Sequence, residues 1–256
     1  VIVPMHYAGV ACDMDRIVEI ARRHQLTVVE DAAQGVNAKY KGRYLGTIGD
    51  LGTYSFHESK NFNCGEGGAL IINDERFVER AEIVAEKGTN RRKYWRGEVD
   101  KYTWGDIGSS YLPSDILAAY LFAQLEHIDR ITTIREAIYG YYYKNLLPLS
   151  EKGLLRLPHA PSWSQHNYHM FHILLPTEEL RDKLIKVLKE NRILAVFHYV
   201  PLHTSPVGRK LGYSAGDLPV TENISKRLLR LPFYNDLKEF EQEKVVRIIM
   251  ETLSRQ

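Results

Sequence analysis

Between Val1 and Asp31 two short apolar runs flank one amphipathic stretch, and that order restricts the fold more than any other feature of the chain. Val1-Ile-Val-Pro4 reads as a strand that ends at its proline. Asp13 is placed to cap a helix whose apolar positions are Ile17, Ile20 and Ala21. Leu26-Thr-Val-Val29 follows as a buried strand. Strand, helix, strand predicts a parallel α/β sheet. Ligands in such sheets gather beyond the carboxyl ends of the strands, and Asp31 stands at that end.

The 256 residues allow one large or two small domains. Further strands are expected at 51–56 and 68–72, a charged amphipathic helix over 75–87, and a long polar and aromatic loop over 88–112. Pro113 is expected to open a helix in its first turn, with a second, tyrosine-rich helix over 127–146. The later pattern is α+β: a strand at 168–175, a helix over 177–191, a strand at 193–197 and a terminal helix over 238–254. Residues 1–130 thus read as the α/β domain and 131–256 as a smaller α+β domain.

Lys and Arg total 34 against 32 Asp and Glu, so no electrostatic case exists for nucleic acid or an anionic membrane. The densest basic cluster, Arg91-Arg92-Lys93 with Arg96, reads as a solvated loop or as a contact for a phosphorylated small molecule. Cys12 and Cys64 make no disulfide framework, which fits a reducing cytoplasm. No apolar run is long enough to span a bilayer. The first residues are too short for a signal peptide, and the missing initiating Met leads to the expectation of a fragment or a processed chain.

Two residues bear chemistry by type and position. Lys60 ends the run Gly52-Thr-Tyr-Ser55-Phe-His57-Glu-Ser-Lys60, in polar surroundings, and a partly desolvated lysine is nucleophilic. Asp31 ends the other run. An amine for an aldehyde and an acid for a ring nitrogen are what pyridoxal 5'-phosphate requires of a protein. Asp31 also reads as a turn cap, and Ser55 as an ordinary strand-end serine. Gln34, one helical turn beyond Asp31, is expected to face the same ligand and offers an amide to a phenolic oxygen. Ser55 offers a hydroxyl to a phosphate, and Gly65-Glu-Gly-Gly68 reads as a permissive loop or a tight turn. His198-Tyr199 and Pro201-Leu-His203 are expected to supply substrate contacts. No third ligand stands at metal spacing beside these histidines, so no metal is expected. His169 is expected on a strand in a structural role. The cluster Tyr139 to Tyr143 is expected in the core and at a subunit contact.

With Val29-Glu-Asp31-Ala-Ala-Gln34, Ser55-Phe-His-Glu-Ser-Lys60-Asn, Gly65-Glu-Gly-Gly68 and His198-Tyr199-Val-Pro201-Leu-His203, the chain resembles the DegT/DnrJ/EryC1/StrS sugar aminotransferases. The resemblance runs over essentially the whole chain. It implies the fold type I pyridoxal phosphate architecture, like aspartate aminotransferase: a large mixed-sheet domain, here shortened at its N-terminus, and a smaller α+β C-terminal domain. It implies Lys60 as the cofactor-bound lysine, Asp31 as the pyridinium partner, Gln34 at the phenolic oxygen and Ser55 at the phosphate. Lysine at position 60, where some members carry histidine and dehydrate, favours transamination. Lys87-Gly-Thr-Asn-Arg91, Val99-Asp-Lys-Tyr-Thr-Trp104 and Asp106-Ile-Gly-Ser-Ser-Tyr-Leu112 look like the bacterial dTDP-4-amino-4,6-dideoxygalactose transaminases. Ser110 and Leu112 stand where many members carry Asn and Arg, which puts Ser110 at a cofactor-phosphate position.

The resemblance further implies glutamate and a dTDP-sugar as substrates, with Arg91, His198, Tyr199 and His203 contacting the sugar nucleotide, and a homodimer. The alternatives are a 3-keto nucleotide sugar as acceptor, or a non-catalytic binding or dimerising remnant. Members also carry a phosphate-cradling turn and a ring-stacking aromatic residue ahead of the position matching Val1.

Overall fold

A computed structural model describes residues 1–254, which divide into two compact units. The first comprises 1–129 together with 160–169, and the second the remainder. Where the sequence suggests one boundary near 130, the segment 160–169 returns to the first unit. Its β-pairing and the hydrogen bond from Ala11 N–H to Ser164 Oγ hold it there.

In the first unit, α1 (Met14–His24) begins at Asp13, whose carboxylate accepts from Arg16 N–H. It ends at Gln25 in the left-handed conformation, with Arg22, Arg23 and His24 against the negative end of the helix dipole. Met14 and Ala21 face inward, while Ile20 stays exposed. β1 (Val29–Asp31) follows, then the short β2 (Lys39–Tyr40) and β3 (Arg43–Tyr44), β4 (Leu51–Ser55) and β5 (Gly68–Ile72). β1 and β4 are parallel and in register, with Asp31 opposite Thr53. β5 runs antiparallel to β4, so the sheet is mixed rather than all parallel. Residues 1–5 join β1 through isolated bridges at Ile2 and Met5, not as a strand over 1–4. Pro4, which has no N–H to give, contributes only its carbonyl, to Asp31 N–H.

Gly52 explains how β4 fits. A Cβ there would lie 2.2 Å from the Gly46 carbonyl oxygen, so any side chain would push the 46–49 turn off the strand. α2 (Val78–Ala85) follows a 3₁₀ turn capped by Asp74. α3 (Arg91–Trp95) forms inside the stretch that reads as a loop. α4 (Asp115–Leu125) starts from the Ser114 cap, so Pro113 precedes the helix instead of entering its first turn. β6 (Ser164–Gln165) closes a small sheet with β2 and β3.

The second unit holds α5 (Ile128–Glu151), β7 (His172–Leu174), α6 (Glu178–Glu190), β8 (Val196–Phe197), α7 (Pro206–Lys210), α8 (Pro219–Arg227), β9 (Leu228–Arg230) and α9 (Glu239–Ser254). α5 runs past the expected 146, and its Pro148 lies in the last turn. The strands pair antiparallel in the order β7-β9-β8. Tyr142, Leu146, Phe171, Leu184 and Ile249 form the fully buried centre. Tyr139 packs edge-on to Phe171, with centroids 4.9 Å apart, and the Tyr142 hydroxyl donates to Pro232 O. The α6 cap is Thr177, whose hydroxyl accepts from Leu180 N–H.

Candidate active site

The carboxyl ends of β1 and β4 lie side by side because the two strands are parallel and in register. Asp31 ends β1 and Ser55 ends β4. Asp31 is fixed through its backbone on both sides: its N–H donates to Pro4 O, and its carbonyl accepts from His6 N–H. Its Oδ1 accepts from Ala33 N–H at 3.1 Å, the turn-capping role, which leaves Oδ2 for another donor.

Glu30, one residue earlier, is fully buried and holds the strand in place. Its Oε2 accepts from His6 Nε2 at 3.0 Å and Gly46 N–H at 2.8 Å. Its Oε1 accepts from Ile48 N–H at 2.6 Å and Gly49 N–H at 2.7 Å. Burial alone would raise this carboxyl, but the bonds from His6, Gly49, Gly46 and Ile48 outweigh it and hold the group below the usual carboxylate range. Cys12 N–H donates to Nδ1 of His6, so the ring proton sits on Nε2 and is given to Glu30. Glu30 lies inside the motif Val29-Glu-Asp31-Ala-Ala-Gln34 without a role read for it, and His6 carries no sequence signal.

Past Ser55 the chain folds back on itself. Phe56 N–H donates to Gly67 O, Glu58 N–H to Gly65 O and Cys64 N–H to Phe56 O. Lys60 sits at the crest of that loop, half-buried, with its own N–H on His57 O. Ser55 Oγ accepts from His57 N–H at 3.4 Å. Gln34 is in a turn, not a helix, so the helical-turn relation to Asp31 does not hold. Its Oε1 accepts from Ala8 N–H at 2.6 Å, which turns the amide nitrogen into its remaining donor group.

Lys60 and Gln34 line one crevice of about 10 Å³ with Asn61, Asn167 and His169, space for roughly one water. A chain of hydrogen bonds fixes the groups around it. Asn167 Nδ2 donates to Gln34 O and Val36 O, and Asn61 Nδ2 donates to Asn167 O. Asn61 Oδ1 must therefore be the acceptor facing His169, so Nδ1 of that ring carries a proton. His169 lies outside any strand, contrary to its sequence reading.

The donor set fits pyridoxal phosphate: an amine at Lys60, an open carboxylate oxygen at Asp31, an amide at Gln34 and a hydroxyl at Ser55, all on one unit. Residues 1–250 match the DegT/DnrJ/EryC1/StrS aminotransferase family. The chain belongs to that family. Its aminotransferases use pyridoxal phosphate. The pleiotropic regulatory protein of Geobacillus stearothermophilus is 36% identical over 98% of the chain and 64% of its own length. The GDP-perosamine synthase of Caulobacter vibrioides is 33% identical over 98% of the chain and 66% of its length. The structure of S. venezuelae DesV, in complex with a ketimine intermediate, superposes with a TM-score of 0.87 at 31% identity, covering 99% of the chain and 65% of DesV. The chain thus spans about two thirds of the length of these family members.

Of the other expected site residues, Arg91 and Ser110 belong to the first unit and do not line that crevice, and His198, Tyr199 and His203 belong to the second. Arg91 opens α3, with its guanidinium 4.6 Å from the Trp95 ring centroid and 5.9 Å from that of Tyr102. Ser110 is exposed and bridges to Glu86. This follows from Gly108, where a Cβ would lie 2.2 Å from Gly88 N, so the 105–110 segment lies directly on 84–88. In the second unit His198 is half-buried and Tyr199 exposed. His203 is buried and its Nε2 bonds Glu222 Oε1 at 2.8 Å, where Gly216 N–H also donates. That bond ties the 198–205 loop to α8, and holds His203 inward. Among the described residues no group of three His, Cys, Asp or Glu is placed to hold a metal ion, and no helix is long and apolar enough to cross a membrane.

Proposed function

We propose that this chain carries the catalytic lysine of a nucleotide-sugar aminotransferase. The reaction moves an amino group from glutamate to C4 of dTDP-4-dehydro-6-deoxyglucose, giving dTDP-4-amino-4,6-dideoxygalactose. The observation that supports the reading is that Asp31 and Ser55 end the paired strands β1 and β4, while Lys60 and Gln34, a few residues beyond those ends, line one crevice. Pyridoxal phosphate, when bound, supplies the electron sink that lets an amino-bearing carbon lose its proton. Asp31 would hold the ring nitrogen's proton through its open oxygen, Gln34 would donate from Nε2 to the phenolic oxygen, and Ser55 would donate to a phosphate oxygen, with Ser110 a further phosphate contact. Lys60 Nζ takes the proton from the donor's amino-bearing carbon in one half of the reaction and returns one to the sugar's former keto carbon in the other.

A nucleotide-linked amino sugar in one relative's name supports the acceptor class, and the motifs at 87–91, 99–104 and 106–112 support the dTDP-sugar. Arg91 is the candidate phosphate contact, and His198, Tyr199 and His203 belong to the loop assigned to substrate. We assign the protein to the cytoplasm and to a homodimer. Helix α4, whose Ile116 is 81% and Phe122 62% exposed, supports the latter.

Two experiments test the reading. The purified protein is given pyridoxal phosphate, reduced with borohydride and digested. A phosphopyridoxyl group on Lys60, lost in Lys60→Ala, is expected, and labelling elsewhere sinks the assignment. A panel of 4-keto and 3-keto nucleotide sugars with glutamate then reads the acceptor. Turnover with a 3-keto sugar alone refutes the C4 assignment.

A further inference from the structure

Just past Lys60 the loop between β4 and β5 is held by groups far away in the sequence. Asn61 is buried, and both polar atoms of its side chain are engaged. Nδ2 donates to Asn167 O and Oδ1 accepts from His169 Nδ1, each at 2.8 Å. Two residues on, α4 takes hold. Gln124 Oε1 accepts from Asn63 N–H at 3.2 Å, and Gln124 Nε2 donates to Asn63 O at 2.5 Å. This two-way exchange with one residue's backbone is what a neighbouring antiparallel strand makes, and here a side chain supplies it.

Asn63 passes the hold back to the lysine. Its Nδ2 donates to Lys60 O at 3.5 Å, while Lys60 N–H donates to His57 O at 2.9 Å. The backbone of Lys60 is thus answered on both sides, and its side chain lines the crevice beside Asn61. All of these residues belong to the first unit.

Packing alone does not account for the arrangement. Phe62, between the two anchors, is 1% exposed and already fixes the depth of the loop. Apolar burial has no direction, whereas hydrogen bonds set the orientation of the backbone on either side of that ring. Gln124 is also the one carboxamide of α4, where Ile, Leu, Ala, Tyr and Phe fill the positions after Asp115. Glutamine adds nothing to helix formation that leucine would not, and its amide is spent on the loop.

We infer that Gln124 and Asn61 are positioning residues for Lys60. Held from α4 and from the 160–169 segment, the loop presents the lysine amine in one place and one orientation. The inference deepens the reading of Lys60 as the catalytic lysine and takes its purpose from that reading. A nucleophile kept near its attacking geometry retains the advantage of an intramolecular step, which a loose loop would lose.

The test reads the amine before any cofactor is added. The full chain receives a brief pulse of acetic anhydride, and mass spectrometry compares acetylation of half-buried Lys60 with that of exposed Lys152. Gln124→Met keeps the length of the side chain and removes both of its bonds to Asn63. Asn61→Ala removes the other anchor. In each variant the ratio of Lys60 to Lys152 is expected to rise about three- to tenfold, as the loss of one or two hydrogen bonds allows. A residue that serves stability alone would leave that ratio at the parent's value in the folded variant. The second readout is the concentration of pyridoxal phosphate that gives half-maximal borohydride trapping on Lys60, expected to rise about tenfold in both variants. An acetylation ratio unchanged in both overturns the positioning role. Gln124→Met, the milder change, keeps the test readable if Asn61→Ala unfolds. A parent without phosphopyridoxyl on Lys60, beside a raised ratio in the variants, refutes the catalytic assignment and leaves the hold on Lys60 standing.

Discussion

In the second unit Tyr142, Phe171, Leu184 and Ile249 are fully enclosed, and the polar residues of the outer sheet face lie at the edge of that core. The first unit distributes its groups differently. Its apolar core rests on smaller side chains such as Ala21, Ala32 and Ala38 with Met14 and Leu45. Both units enclose polar groups, Arg135, Arg181, His203 and Gln242 in the second and His6, Glu30, Asn61 and Asn167 in the first, where Asn61 and Asn167 line the crevice beside Lys60. Meanwhile Ile116, Tyr120 and Phe122 of α4 lie outside. Burial of apolar surface has no direction, so the large apolar centre of the second unit can form without placing any one atom finely. Hydrogen bonds to buried groups are directional and costly to leave unmade. The first unit uses them where Asp31 and Lys60 must be held at one end of a sheet.

The contrast breaks most sharply at Phe171. Phe171→Ala should destabilise the second unit by about 3–5 kcal/mol, through lost transfer free energy and the cavity left behind. Denaturant unfolding measures it, and a change below about 1 kcal/mol would mean that the second unit does not depend on that centre. Glu30→Gln comes next, at about 2–4 kcal/mol, because a charged acceptor of four hydrogen bonds becomes a neutral one. The sign with pH is set by the depressed carboxyl of the folded state. Its contribution is complete above the ordinary carboxylate range and disappears as pH falls through the folded value. Melting curves of the glutamine variant should therefore be flatter than the parent's on the acid side. The smallest effect on folding belongs to the outer face. Ile116→Ser should move the stability of a single copy by less than about 0.5 kcal/mol, yet shift the sedimenting species from two copies towards one. A protein that already sediments as one copy would remove α4 as the dimer surface.

Much of this was readable where local chemistry decides. Asp13 and Thr177 cap helices because their oxygens meet N–H groups three residues on, a relation contained in the sequence. Lys60 and Asp31 were readable as the polar ends of apolar runs. What escaped depends on partners distant along the chain. Gln124 looks like any helix glutamine until the loop past Lys60 brings Asn63 against it. Leu228–Arg230 was missed as a strand because three residues directly after a helix show no alternation. His169 and Asn61 meet only because 160–169 returns to the first unit. His203, which reads as a substrate contact beside His198, is turned inward by Glu222, a residue on a helix that the sequence pattern did not reveal.

The turn at 46–49 has none of the ladder that normally slows amide exchange, yet three of its N–H groups end on a fully buried carboxylate. In deuterated water those three amides should hold their protons about as long as the neighbouring strand does, and exchange only when the sheet itself opens. A map of local opening drawn for this protein would then place one of its most persistent regions in a stretch with no regular secondary structure.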